Sequence, residues 1–209
     1  MRIAREGLRF ILPPLFGAFL SLWLGWWILA IFFFMLGAVF SFFFRDPKRI
    51  IPSDDNLLLA PADGRVVKIE TIASHPSFPS SVTRISIFLS LFDVHITRAP
   101  LSGIIQEIEY KKGSFVPAHR EEASLRNEHN LIFLKGSNTD ILLKQMAGIF
   151  ARRIKCFVKK SDRIEGGQKI GLIYFGSRVE IFFPSNISLK VCLNQRVKAG
   201  QSVIGEVNK

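Results

Sequence analysis

The chain has 209 residues, enough for one soluble domain of ordinary size plus an apolar segment, and too few for two comfortable globular domains. Its composition pulls two ways, since 48% of residues are hydrophobic, with 20 Phe, yet the formal net charge is +11. The positive residues are spread along the chain without an aromatic-basic repeat, which argues against nucleic acid and for an anionic lipid surface as the partner.

The two properties are segregated along the chain. From Phe10 to Phe44 there is no charged residue, whereas Arg2, Arg5 and Arg9 precede this run and Arg45, Lys48 and Arg49 follow it. The run exceeds the ~20 residues of one bilayer span and falls short of two. Basic residues on both flanks place both ends on the cytoplasmic side, with Trp23, Trp26 and Trp27 near the far turn, so the expectation is a short helical hairpin. A single tilted helix, or a hairpin embedded without crossing, also satisfies the pattern. The run is too long for a cleavable signal peptide, and no small-residue cleavage pattern follows it.

Past Pro47 the chain becomes short β-branched runs punctuated by Gly, Pro, Asn and Asp, the pattern of a mainly β domain. Predicted strands cover Arg65 to Glu70, Val82 to Leu89, Gly103 to Tyr110, Asn130 to Lys135, Asp140 to Met146, Ile170 to Tyr174 and Val179 to Phe183, with one short helix at Ile149 to Lys155. The segment from Ala60 to Val66 is echoed from Ala99 to Ile105, and that from Asp162 to Gly171 from Gln195 to Gly205. Paired units of this kind predict a compact β-barrel or sandwich of two similar halves. Their Arg, β-branched residue and Gly-Gln pattern resembles the strand-turn-strand units of biotinyl and lipoyl carrier domains, but no modifiable Lys stands at a hairpin tip, and a fold likeness carries no chemistry by itself. Cys156 and Cys192 lack metal-ligand spacing and read as buried reduced thiols.

Four histidines bound the acid-base chemistry. His75 lies in a Pro-rich loop, and His119 and His129 lie in a polar stretch that reads as a solvated face or a helix without a core. Glu128-His129 has no second His at helical spacing, which excludes a zinc-peptidase helix. His95 closes an apolar strand, Ile85 to Phe92, just before a turn, a rigid place to mount a base. Taken alone, that segment suits a satisfied buried histidine equally well. Asp63 in Ala62-Asp63-Gly64 reads as an ordinary turn, and Ser177 in Phe175-Gly176-Ser177-Arg178 as a hinge between strands.

Phe44-Arg45-Asp46-Pro47, Pro61-Ala62-Asp63-Gly64, Asp93-Val94-His95 with Arg98-Ala99-Pro100, Asn127-Glu128 and Phe175-Gly176-Ser177-Arg178 occur in one order along most of the chain. Each motif is short, but the ordered set is specific, and it resembles the short prokaryotic class of phosphatidylserine decarboxylases. The resemblance implies a membrane segment, residues 1–46, and a catalytic β-domain, residues 47–209, that cleaves itself between Gly176 and Ser177. Ser177 then becomes a pyruvoyl cofactor, with no metal, and the large and small chains stay together. The implied reaction is decarboxylation of phosphatidylserine to phosphatidylethanolamine and CO2 through a pyruvoyl Schiff base, at the cell membrane, with a homo-oligomer as a further implication. Long-class members carry a second His three residues after the first; Arg98 stands there, leaving His95 as the only motif histidine.

On this reading His95 is the base that activates Ser177, and Asp63 the carboxylate that fixes its tautomer, with Asp93 second for that role. Three other readings compete: a non-enzymatic membrane-tethered carrier or adaptor, a membrane-bound hydrolase in which Ser177 stays a serine, and a decarboxylase of an ether-linked archaeal lipid.

Overall fold

The computed structural model describes residues 2–114, 126–148, 153–174 and 177–207. The chain divides into two compact units, Met1–Lys48 and Arg49–Lys209.

In the first unit β1 (Arg2–Ile3) precedes helices α1 (Leu8–Trp23) and α2 (Trp27–Phe43), and β2 (Arg45–Asp46) pairs back onto β1. The expected helix pair is therefore present, reversing at the tryptophans, where the Trp26 N–H donates to the Ser21 carbonyl (2.8 Å). Small residues let the helices close on each other: a methyl on Gly17 would stand 3.1 Å from the Phe33 ring, and one on Gly37 3.0 Å from Leu15. The outward face is apolar, with Phe16, Phe19, Trp27, Ile28 and Phe32 exposed. Among the described residues no helix is long and apolar enough to cross a membrane.

In the second unit the strands are β3 (Leu57–Leu59), β4 (Gly64–Ile72), β5 (Val82–Leu89), β6 (Ile96–Arg98), β7 (Gly103–Lys111), β8 (His129–Gly136), β9 (Asp140–Ala147), β10 (Ile154–Cys156), β11 (Arg163–Ile164), β12 (Lys169–Ile173), β13 (Ser177–Pro184), β14 (Ser188–Leu189), β15 (Arg196–Val197) and β16 (Val203–Glu206). Eight of them form one curled antiparallel sheet in the order β11-β7-β8-β9-β13-β5-β4-β15. Two three-stranded sheets, β10-β12-β6 and β14-β16-β3, complete the unit. The core follows from strand alternation: on β13, Val179, Ile181 and Phe183 join Ile85, Ile87 and Leu143 in the apolar cluster, while Arg178 and Glu180 lie on the other face.

The sequence repeat is a structural repeat. β11 pairs with β7 through Ile164 opposite Gly103, and β15 pairs with β4 through Val197 opposite Gly64. Gly167 N–H donates to Ala99 O (2.8 Å), and Gly200 N–H to Ala60 O (2.9 Å). Each half thus seats a Gly-containing turn on the alanine that precedes a proline.

Four local expectations are corrected. The apolar strand before His95 stops at Leu89, because Ser90–Asp93 turns: Asp93 N–H donates to Ser90 O (3.0 Å). Of the helix expected at Ile149 to Lys155, residues 149–152 lie outside the described residues, and Ile154–Cys156 is strand, held by pairing to β12. Cys192 is exposed rather than buried, and Cys156 only partly buried. His129, expected on a solvated face, opens β8 and is 9% exposed, whereas His119 lies outside the described residues.

Candidate active site

Ser177 is the first residue of β13, paired to Leu89 on one side and Ala147 on the other. Being in phase with Val179 and Ile181, it belongs to the core face of the sheet and is fully buried. Its hydroxyl has no hydrogen-bond partner among the described residues. A buried, unpaired hydroxyl costs about 1–3 kcal/mol, so its presence in an apolar sheet calls for a use. Gly176, the other half of the expected cleavage bond, lies outside the described residues.

The surroundings of Ser177 keep space beside it. Ala147 turns both main-chain groups away from β13: its N–H donates to Glu128 O (3.0 Å), and its carbonyl accepts from Asn127 Nδ2 (3.0 Å). The Ser177–Ala147 pair is therefore of the close, non-hydrogen-bonded kind, and the small Ala side chain crowds the serine least. Asn127 is 1% exposed, and Glu128 also accepts from Tyr110 Oη. The Tyr110 phenol is pushed up to about 12, by burial first and then by that hydrogen bond to Glu128 and its charge.

His95 comes to the same end of the unit by two routes. From Leu89, opposite Ser177, the chain turns through Ser90–Asp93 and reaches His95; from the other side, the Ile173 N–H donates to the His95 carbonyl (3.1 Å), four residues before Ser177. His95 is 1% exposed, and its Nδ1 lies 3.0 Å from the Asp93 carbonyl oxygen. A carbonyl only accepts, so Nδ1 carries the proton and Nε2 is the basic nitrogen.

The tautomer support expected of Asp63 is thus supplied by the main chain of Asp93. The Asp93 carboxylate instead accepts from Ser90 N–H (2.8 Å) and Ser90 Oγ (2.7 Å), closing the turn that delivers His95. The Asp63 carboxylate accepts from Arg49 Nη2 (2.9 and 2.7 Å) and from Ala199 N–H (2.8 Å). Its turn meets β6 at the far end from His95, where Arg98 N–H donates to Pro61 O (2.9 Å). Asp63 therefore belongs beside Arg98, the position at which long-class sequences have their second histidine. Arg98 is itself buried, with Nη1 donating to Gly167 O (2.9 Å).

Arg49 is a further correction. The sequence offers it, with Arg45 and Lys48, as part of the basic flank of the apolar run, but its side chain is 6% exposed and paired to Asp63, with Nη1 donating to Gln201 (3.1 Å). Nothing in a run of flanking basic residues marks which one folds inward. Among the described residues no group of three His, Cys, Asp or Glu is placed to hold a metal ion. A separate charged cluster, Arg84, Arg178, Lys144 and Glu180, lies on the opposite face of the sheet; burial pulls Lys144 down, partly offset by the Glu180 charge.

Among the described residues the site therefore offers a buried serine hydroxyl without a partner at the head of β13 and a buried histidine, just before β6, whose Nδ1 faces a main-chain carbonyl. Comparison with known proteins gives the class. The family model described as phosphatidylserine decarboxylase matches residues 36–205. Proteins named phosphatidylserine decarboxylase proenzyme are similar over nearly the whole chain: one from Desulfotalea psychrophila is 35% identical, covering 98% of this chain and 96% of the relative. Those from Carboxydothermus hydrogenoformans (38%; 97% and 95%) and Solibacter usitatus (39%; 98% and 96%) agree. The chain is accordingly a decarboxylase by class. It belongs to the phosphatidylserine decarboxylase family.

Proposed function

We propose that the chain cleaves itself between Gly176 and Ser177 and then decarboxylates phosphatidylserine at the cytoplasmic face of the cell membrane, using a pyruvoyl group made from Ser177. The observation that carries this reading is the Ser177 hydroxyl, buried without a partner among the described residues at the head of a strand whose neighbour, Leu89, leads into the turn to His95. A serine kept only for packing would be an alanine there.

The residues fit the processing chemistry. His95 Nε2 takes the proton of Ser177 Oγ, and the oxygen attacks the Gly176 carbonyl carbon. The Gly176–Ser177 amide bond breaks, leaving an ester between Gly176 and Oγ. Loss of the Ser177 α-proton expels the Gly176 carboxylate, and the dehydroalanine that remains takes up water and releases ammonia. The products are a large chain, residues 1–176, and a small one beginning at position 177. When formed, the group supplies an electron-accepting ketone for the departing carboxylate. Around it, Ala147 leaves room, Asn127 holds the Ala147 carbonyl away, and on this reading His95 returns the proton. Asp63 acts at one remove, fixing Arg49 and the turn beside Arg98.

The helix pair supports membrane attachment. At 16 and 17 residues the helices reach about 24–26 Å, short of the ~30 Å hydrocarbon core. An embedded hairpin, Trp end inward, matches that length, with exposed Arg2, Arg5, Arg9 and Lys48 at the anionic surface. A lipid substrate gives the attachment a purpose, since each methylene taken into water costs about 0.8 kcal/mol.

Intact-mass measurement tests the proposal. The purified chain should appear as two fragments, the smaller about 17 Da below its sequence mass through exchange of the amine for a ketone, and should release CO2 from phosphatidylserine vesicles. Ser177→Ala should stay uncut and inactive. A single full-length chain that hydrolyses phospholipid but releases no CO2 would favour the hydrolase, and one without either activity the adaptor.

A further inference from the structure

β6 is only three residues long, and it begins immediately after His95. Its middle residue, Thr97, is 1% exposed, and the Thr97 hydroxyl accepts a hydrogen bond from Gln145 Nε2. Gln145 is completely buried on β9, opposite Val179 of β13 and two residues before Ala147, the cross-strand neighbour of Ser177. The other end of its amide is also fixed, Oε1 accepting from Asn130 Nδ2 (2.9 Å) of β8, the residue directly opposite in the sheet. The bond therefore runs from the sheet that bears Ser177 to the strand that follows His95.

The local sequence is adapted to this bond. Gly171 faces Thr97 across β12, and a methyl there would stand 2.6 Å from Gln145 Nε2 and 3.1 Å from the Thr97 hydroxyl. The missing side chain leaves the passage through which the amide reaches β6. Stability by itself gives little reason for the arrangement, because replacing both partners of a buried hydrogen bond by apolar groups of the same shape is nearly neutral. What a satisfied amide adds is a direction and a fixed length.

We infer that Gln145 is a positioning residue: with Thr97 it forms a polar clasp that sets the His95 imidazole against Ser177 for self-cleavage. Asn130 aims the amide, Thr97 receives it, and His95 is carried two residues away on the same backbone. The inference rests on the processing chemistry proposed above. A misplacement of about 1 Å at a reacting pair costs on the order of 100-fold in rate, which sets the size of the effect.

The test follows precursor disappearance in the full chain after synthesis at controlled pH. Thr97→Val and Gln145→Met should each slow cleavage by roughly 30- to 100-fold, and the double variant should be no slower than either single; on the uncut His95→Ala background each single variant should also lower the urea midpoint, because it leaves a buried polar group unpaired. Thr97→Ser, which keeps the hydroxyl, should cleave at the parental rate. The slow variants should also lose the histidine-type inflection from the pH-rate profile, a change that general loosening of the fold does not produce. Should Gln145→Met fail to fold, the Thr97→Val and Thr97→Ser pair decides. If His95→Ala blocks cleavage while Thr97→Val cleaves within about 3-fold of the parent, the clasp is overturned and the chemistry stands. If His95→Ala itself cleaves normally, the chemistry falls, and the clasp with it.

Discussion

Replacing Ser177 by Ala should make the uncut chain more stable as well as inert. The Oγ atom is shielded from water and has no partner among the described residues, which costs ~1–3 kcal/mol relative to solvated hydroxyl. Removing it opens a void of about 10–15 Å³, and at ~24 cal/mol per Å³ that returns only about 0.3 kcal/mol. The net expectation is a gain of roughly 1–2 kcal/mol, or about 2–8 °C in Tm for a unit of this size. The comparison must be made between uncut chains, so His95→Ala serves as the parent and His95→Ala/Ser177→Ala as the test. All three Trp lie in the first unit, so unfolding of the second is followed by its β-sheet circular dichroism in urea, with detergent present throughout. An unchanged or lowered midpoint would mean that the hydroxyl is satisfied in the folded precursor. The argument that its unpaired state marks it for chemistry would then be lost.

The Arg49–Asp63 pair gives a second stability test: Asp63→Leu should cost about 3 kcal/mol by stranding a buried guanidinium, and adding Arg49→Met should recover most of it, read by the same unfolding curves. The Tyr110 phenol, raised in the fold to about 12 from 10.0, keeps its proton where the unfolded chain has lost it. Its contribution is complete below pH 10 and disappears as pH rises to about 12, so Tyr110→Phe should flatten the alkaline limb of a stability-pH curve across that window. His129 is shifted the other way, below 6.5, chiefly by burial and against the pull of its bond to Asn127. Protons then favour the unfolded chain once pH falls below about 6.5, and His129→Gln should reduce the acid loss of stability in the same titration. At the hairpin tip, replacing Trp26 and Trp27 by Ser should weaken binding to anionic vesicles by on the order of 10-fold per ring, measured by vesicle sedimentation.

Several of these residues could be read before any coordinates and several could not. The strands of the large sheet were visible because each lays alternate residues on an apolar core, so period two is written into Val82–Leu89 or Asp140–Ala147. The repeat announced the pairing of the two half-units because the same turn must seat on the same alanine in both. The short strand at Ile154–Cys156 had no such pattern; it exists through its pairing with β12, and seven residues are too few for a helical period to be distinguished from chance. His129 looked solvated because its sequence neighbours are charged, whereas its burial comes from the strands beside it.

The candidate site divides along the same line. The apolar hairpin and the strand pattern follow from the sequence itself, whereas Gly176 and Ser177 read alone as a hinge and gained their proposed role only from the ordered set of motifs around them. Partnership is decided in three dimensions. Arg49 turns inward to Asp63, the main chain of Asp93 rather than a carboxylate fixes the His95 tautomer, and Gln145 crosses to Thr97. These contacts join residues that are distant in sequence, or main-chain atoms that every residue possesses. A linear pattern carries no mark of either, because hydrogen bonds depend on where the folded strands bring their atoms and not on which letters stand side by side.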